Sequence, residues 1–112
     1  MENYFAESGY AVTVCDLEAK ILYMNRRASK TFEKYGGESL IGKSLFDCHG
    51  ERSSAMIRQF LQTGESNVYT IEKAGVKKLI HQSPWYKDGK IAGLVELSLE
   101  LPAEMPHYVR QP

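Results

Sequence analysis

The chain has little cysteine, no long hydrophobic run and no excess of charge of either sign. Only two cysteines occur among its 112 residues, Cys15 and Cys48, so a disulfide-stapled secreted scaffold is not expected and a reducing cytoplasm is. No apolar run approaches the roughly 18 residues that span a bilayer, and the N-terminus MENYFAESGY lacks the layout of a signal peptide, so no membrane association is expected. Lys and Arg number 14, as do Asp and Glu, which excludes the basic excess typical of nucleic-acid binding.

The remaining composition is that of one globular domain. Hydrophobic residues make up 43% of the chain, an ordinary share for a folded protein. A chain of this length buries roughly two-thirds of its unfolded surface, which is enough for one core without metal or disulfide staples. No repeat, low-complexity tract or internal linker interrupts it.

The first half of the chain alternates short strands with short helices. YAVTVCD and ILYM each have the composition of a strand, and Asn25 follows as a helix cap. The next helix is predicted to end at the pair Gly36-Gly37. A longer helix then carries an apolar stripe before Gly64, formed by Met56, Ile57, Phe60 and Leu61.

The last third predicts three strands. NVYTIEK and KKLIHQSPWY flank the turn Ala74-Gly75, and KDGK separates the latter from IAGLVELSLEL. In this last strand one face is apolar, with Val95, Leu97, Leu99 and Leu101, and the other carries Glu96, Ser98 and Glu100. The predicted fold class is α+β, a five-stranded antiparallel sheet with short helices packed on one face. Residues 1–9 form an N-terminal segment with a short helix, 10–101 the domain and 102–112 an extended proline-containing tail.

Three motifs in this order, together with the alternating strands between them, resemble the PAS domain, a small sensory module of signalling proteins. They are DLEAKILYMN (16–25), SLIGKSLFD (39–47) and SPWYKDGKIAGLVEL (83–97). Ala19 departs from the glycine common in the first turn, and LELPAEMP replaces the usual Asp-Ile-Thr ending, which favours a domain that stands alone. The resemblance implies a pocket between the sheet and the helices.

Alternation and the resemblance together assign the ligand-binding residues, while the identity of a cofactor stays unknown. The pocket is predicted to be lined by Thr13, Cys15, Phe32, Ile41, Leu45, Ile57, Phe60, Thr70, Ile80, Gln82 and Val95. Flavin is not expected. The reactive cysteine of the light-sensing branch corresponds to Leu45, and its ring-binding amides correspond to Thr70, Lys78 and Val95, none of which is an amide.

The dipeptide Cys48-His49 leaves two alternatives open. His49 is a candidate axial ligand for haem, and Cys48 with His49 is a candidate thiol-enzyme pair, provided that the thiol is exposed and its pKa is low. Neighbouring side chains diverge by about 100° in a helix and about 180° in a strand, so the two do not naturally face each other. We therefore interpret Cys48 as a small buried hydrophobe and His49 as a turn residue, with no catalytic residue and no metal site.

The predicted function is sensory signal transduction without catalysis, by binding a small molecule or a signalling protein partner. A homodimer is also expected. The outer face of a sheet this small needs a cover, and Tyr4 and Phe5 of the N-terminal segment offer one, within a chain or exchanged between two.

Overall fold

A computed structural model describes residues 3–45 and 51–112. Within them the strands are β1 (Ala11–Asp16), β2 (Ile21–Met24), β3 (Asn67–Lys73), β4 (Val76–Lys87) and β5 (Lys90–Leu101). The helices are α1 (Arg26–Thr31) and α2 (Glu51–Thr63), with 3₁₀ turns at Glu33–Tyr35 and Gly37–Leu40. No described helix has the length and apolar character to cross a membrane.

The five strands form one antiparallel sheet in the order β2-β1-β5-β4-β3. The predicted fold class is therefore confirmed. The chain's first and last thirds meet at the centre of the sheet, where β1 pairs with β5 from Ala11 opposite Ser98 to Asp16 opposite Gly93. This long-range pairing joins the first and last thirds of the chain.

Two-residue turns connect the strands of the last third. Ala74 and Gly75 have φ of 52° and 78°, and Asp88 and Gly89 have the same pair of values. Positive φ at both central residues is the geometry that matches the twist of a hairpin. Both predicted turns are thus confirmed. Ala19, in place of the family's common glycine, also has positive φ, at 61°, and is fully buried.

Asn25 anchors the first half of the chain as the N-cap of α1. Its side-chain oxygen accepts hydrogen bonds from the backbone N–H groups of Ala28, at 2.9 Å, and of Val12, at 3.0 Å. Its amide nitrogen donates to the carbonyl of Phe5 in the N-terminal segment and to that of Tyr10, just before β1. The predicted cap is confirmed, and the same residue ties the N-terminal segment to β1.

The side chains of the sheet divide into an inner face, toward the helices, and an outer face. Cys15 and Leu94 lie on the inner face in a core cluster with Ile57, Phe60 and Leu61 of α2. A second inner cluster packs α1 and the 3₁₀ turns on β1 and β2, through Ala11, Ile21, Met24, Ala28 and Leu40. Because side chains alternate along a strand, these buried residues show which positions of β1 and β5 face inward. The β4–β5 register then assigns the positions of β4.

The outer face carries the more apolar half of β5. Leu97 and Leu99 lie there opposite His81 and Leu79 of β4, and they are half-buried. The N-terminal segment reaches this face at the β2 edge, where Asn3 donates a hydrogen bond of 2.8 Å to the hydroxyl of Tyr23. Residues 4–7 form turns, so the short helix predicted there is wrong. Two features favour a turn over a continuous helix: Gly9 follows the segment, and the Phe5 carbonyl accepts a hydrogen bond from the Asn25 side chain.

Candidate ligand cavity

A row of polar side chains crosses four strands on the inner face. In register, Thr13 lies opposite Glu96, Glu96 opposite Gln82, and Gln82 opposite Asn67. The Asn67 amide donates a hydrogen bond of 3.3 Å to the side-chain oxygen of Gln82. Thr13 is buried and the other three side chains are half-buried, so polar groups on the inner face lie beside the apolar core.

Beside this row lies a cavity of about 230 Å³ between β3, β4, β5 and α1. Aromatic and aliphatic side chains form most of its walls, with a hydroxyl or charged group at several points. The lining residues are Ala11, Thr13, Thr31, Phe32, Tyr35, Tyr69, Ile71, Lys73, Lys78, Ile80, Glu96 and Ser98. We call this space the main cavity. Apolar walls with a few polar groups are typical of small-molecule sites.

Two further spaces adjoin the main cavity. A mouth cavity of about 170 Å³ shares Ala11, Thr31, Lys78 and Ser98 with it and opens toward Arg27 and Lys30 of α1. A void of only about 20 Å³ lies on the other side of the polar row. The void is lined by Thr13, Cys15, Leu45, Ile57, Gln82, Leu94 and Glu96. Thr13 and Glu96 therefore form the partition between the void and the main cavity.

Burial and the Glu96 carboxylate set the acid–base properties of this region. Burial raises the pKa of the Cys15 thiol to about 11, and the charges of Asp16 and Glu96 add to the shift, while a backbone hydrogen bond from Leu94 opposes it. Burial and the charge of Glu96 likewise raise the pKa of Tyr69. Both groups are thus neutral near pH 7. Among the residues that the structure describes, no group of three or more His, Cys, Asp and Glu is arranged to hold a metal ion.

The structure brings most of the predicted ligand-binding residues to the inner face. Thr13, Phe32 and Ile80 line the main cavity. Cys15, Leu45, Ile57 and Gln82 line the small void. Phe60 lies in the core cluster around Cys15 and lines neither space.

Val95, Thr70 and Ile41 do not lie on the cavity, and these three assignments are corrected. Val95 pairs with Val14 and Ser83 on the outer face, so the apolar side of β5 points away from the helices. Thr70 pairs with Leu79 and shares its outward direction. Ile41 is 43% exposed in the turn after the second 3₁₀ segment. Thr70 and Val95 consequently carry no information about a flavin ring in the cavity.

Glu96, Ser98, Tyr69 and Lys78 line the main cavity but are absent from the predicted set. Alternation along β5 correctly placed Glu96 and Ser98 on the face opposite Leu97 and Leu99. The error lay in assigning Val95, on the side of Leu97 and Leu99, to the pocket. Lys78 on β4 is the residue that identifies this face. It lies on the same side of β4 as Ile80 and pairs with Glu100 of β5, so the charged side of β5 faces the cavity.

Cys48 and His49 lie outside the described residues, so their geometry does not enter the site. Cys15 is a free, buried cysteine. Its side chain is 1% exposed, in contact with the core cluster beneath α2.

The sequence matches one known family. A family model described as the PAS fold matches residues 5–104, which is most of the chain. The chain belongs to the PAS fold family. PAS domains are generally sensory modules of signalling proteins, and the family places this chain among them at that level.

Solved structures agree with the fold assignment. The Vibrio cholerae VqmA dimer, solved in the absence of target DNA, is 20% identical with a TM-score of 0.65, over 96% of this chain and 54% of that one. A VqmA structure bound to DPO is 18% identical with a TM-score of 0.69, over 88% and 55%. A Vibrio cholerae sensory box histidine kinase is 16% identical with a TM-score of 0.62, over 87% and 85%. This PAS domain thus spans about half of the VqmA chain. A search among curated proteins finds no match.

Proposed function

We propose that this PAS domain is a sensor that binds a small molecule in the main cavity and acts without catalysis. The observation that carries the proposal is the composition of the cavity walls. Phe32, Tyr69 and Ile80 supply apolar surface, and Thr13, Glu96 and Ser98 supply polar atoms at one side. Such a combination provides burial for affinity and a small number of hydrogen bonds for orientation.

The exposure of the aromatic walls supports a ligand over a passive core. Tyr35 and Tyr69 are 64% and 40% exposed although both line the cavity. A molecule seated between them would remove this apolar surface from water, at about 25 cal/mol per Å². The polar row beneath it would meanwhile keep the cavity from closing as an ordinary hydrophobic core.

A second part of the proposal is self-association through the outer face. Leu79, Leu97 and Leu99 form an apolar strip there, and Tyr4 and Phe5 of the N-terminal segment are exposed. A twofold interface needs only one self-complementary patch. The VqmA relative is a dimer, which supports self-association here. A downstream signalling protein and a cytoplasmic location belong to this proposal as well.

Thiol catalysis is the rival function. Cys15 is a poor nucleophile at neutral pH, because burial raises the pKa of its thiol to about 11. The rival therefore depends on Cys48 with His49. Native-state labelling separates the two functions, since rapid modification of Cys48 supports the enzyme and slow modification supports the binding module.

A cavity-blocking variant tests the proposed function. Ser98→Phe places a ring in the main cavity, whereas Thr70→Phe adds the same ring on the outer face. After both variants are shown to melt cooperatively, neutral aromatic fragments such as phenol, indole and methylpyrazine are titrated by calorimetry. We expect fragments to bind the wild type and Thr70→Phe and to lose binding in Ser98→Phe. Equal binding to both variants would place the site elsewhere.

A further inference from the structure

The mouth of the main cavity carries an excess of positive charge. Arg27, Lys30 and Lys78 line the mouth cavity together with a single carboxylate, that of Glu100. Lys73 adds a fourth cation on the neighbouring wall of the main cavity. The chain as a whole has no net charge, so this concentration of cations around one opening is a local property.

These cations are available to a bound molecule. Within the described part of the chain, none of Lys30, Lys73 and Lys78 forms an ion pair. Lys78 lies opposite Glu100 in the β4–β5 register, so this carboxylate offsets one of the charges at most. Arg27 uses its Nε–H in a hydrogen bond of 3.3 Å to the Gly9 carbonyl, which leaves its terminal N–H groups for another acceptor.

The opposite end of the main cavity has the opposite polarity. Glu96 and the hydroxyl of Thr13 form the partition there. The charge of Glu96 also acts on Tyr69, whose pKa it raises, so the two side chains lie within electrostatic reach of each other. A carboxylate at the inner end disfavours a second anion there. The cavity is thus polarised, with cations at the mouth and a carboxylate inside.

We infer that the ligand is a small aromatic carboxylate, held with its ring between Phe32, Tyr69 and Ile80 and its carboxylate toward Lys78 and Arg27. The inference rests on the proposed function. A cavity of about 230 Å³ has room for one or two fused rings with a short side arm. Hydrogen bonds between a carboxylate and Lys or Arg are roughly twice as strong as neutral ones, and the fork of Arg27 suits a carboxylate in particular.

Matched acids and amides isolate the charge from the shape. The probes are benzoate, phenylacetate, 3-phenylpropionate and indole-3-acetate, each compared with its primary amide by calorimetry on the full chain at low salt. We expect at least one acid to bind about tenfold more tightly than its amide, which corresponds to about 1.4 kcal/mol. We also expect that preference to shrink in 0.5 M NaCl, where the Debye length is roughly 4 Å.

Two variants locate the effect at the mouth. Lys78→Met and Lys30→Gln should each reduce the acid-over-amide preference at least threefold, and Lys30 is exposed on α1, so its replacement leaves the fold intact. Lys87→Met, at the end of β4 and away from this opening, should leave the preference unchanged.

The outcomes distinguish this inference from the proposed function. Amides that bind as tightly as acids, or neutral fragments that bind while every acid fails, would overturn the inferred carboxylate ligand. The proposed sensor function would still stand. A preference that survives both lysine variants would overturn the mouth as its source. Failure of acids, amides and neutral fragments alike would overturn both proposals.

Discussion

The indole of Trp85 donates a hydrogen bond of 2.9 Å from Nε1 to the backbone carbonyl of Cys15, passing over the strand that separates them. The residue of β5 beneath the indole is Gly93, which lies opposite both Trp85 and Asp16. A Cβ at position 93 would lie 1.8 Å from the Cys15 carbonyl oxygen and 2.6 Å from Trp85 Nε1. The bond therefore depends on glycine at this point.

Gly93→Ala should consequently lower the free energy of unfolding by about 3 kcal/mol, because backbone atoms of β1 and the indole must both move. Gly9→Ala is the matched control, since nothing lies within 4 Å of a Cβ built there, and it should change stability by no more than about 0.5 kcal/mol. Urea melts of the two variants provide the comparison. Similar losses would show that the close approach at β5 does not exist.

Replacement of Asn25 should release the N-terminal segment and weaken the start of β1. Asn25→Ala leaves the buried N–H groups of Val12 and Ala28 without their acceptor, at about 1–3 kcal/mol for each. Limited proteolysis should then cut the N-terminal segment faster than in the wild type. Arg26→Ala removes an exposed ion pair with Glu7 and should cost less than about 1 kcal/mol. Unchanged cleavage in Asn25→Ala would refute the anchoring role.

Those parts of the fold that depend on local chemistry could be predicted from the sequence. The cap at Asn25, the turns at Ala74-Gly75 and Asp88-Gly89 and the alternation along β5 each follow from a few neighbouring residues. The identity of the inner face could not be predicted in this way, because alternation divides a strand into two faces without saying which one the helices cover. The side of Leu97 is the more apolar, yet it points outward.

The candidate site inherited this ambiguity. Alternation and the resemblance together placed Thr13, Phe32 and Ile80 on the inner face, where they line the main cavity. Val95 was assigned to the pocket because the resemblance matches it to a ring-binding position of the light-sensing branch, yet its side of β5 is the outer face. Glu96 was missed because Val95 was assigned to the pocket, and neighbouring side chains of a strand point to opposite faces.

Because folding raises the pKa of the Cys15 thiol, we expect part of the protein's stability to be lost at alkaline pH through this residue. The pKa rises from the ordinary value of 9.0 to about 11 on folding, so the unfolded chain releases the thiol proton first. The stability that Cys15 contributes is therefore full below about pH 9 and is lost as the pH rises toward 11. This linkage amounts to roughly 2–3 kcal/mol. Melts of the wild type and Cys15→Ala between pH 8 and 11 should converge by about that amount, and a constant difference would contradict the shift.

Self-association should depend on the outer face of β5. Leu99→Arg inserts a charge into the apolar strip opposite Leu79, whereas Glu100→Arg places the same side chain at the next position, on the other face. Sedimentation velocity at tens of micromolar should show a dimer for the wild type and Glu100→Arg and a monomer for Leu99→Arg. A chain that begins at Gly9 should dissociate as well. A monomeric wild type, or a dimer that survives both changes, would exclude this interface.

The most direct test of the sensor proposal is to find which side chains touch a bound molecule. An NMR titration of the full chain with the tightest-binding probe, followed by intermolecular NOE measurements, answers this at the level of single methyl groups and rings. We predict contacts from the probe to Ile80, Ile71 and the ring of Tyr69. Contacts to Leu97 and Leu99 of the outer face, with none to these three residues, would contradict a ligand site between the sheet and the helices.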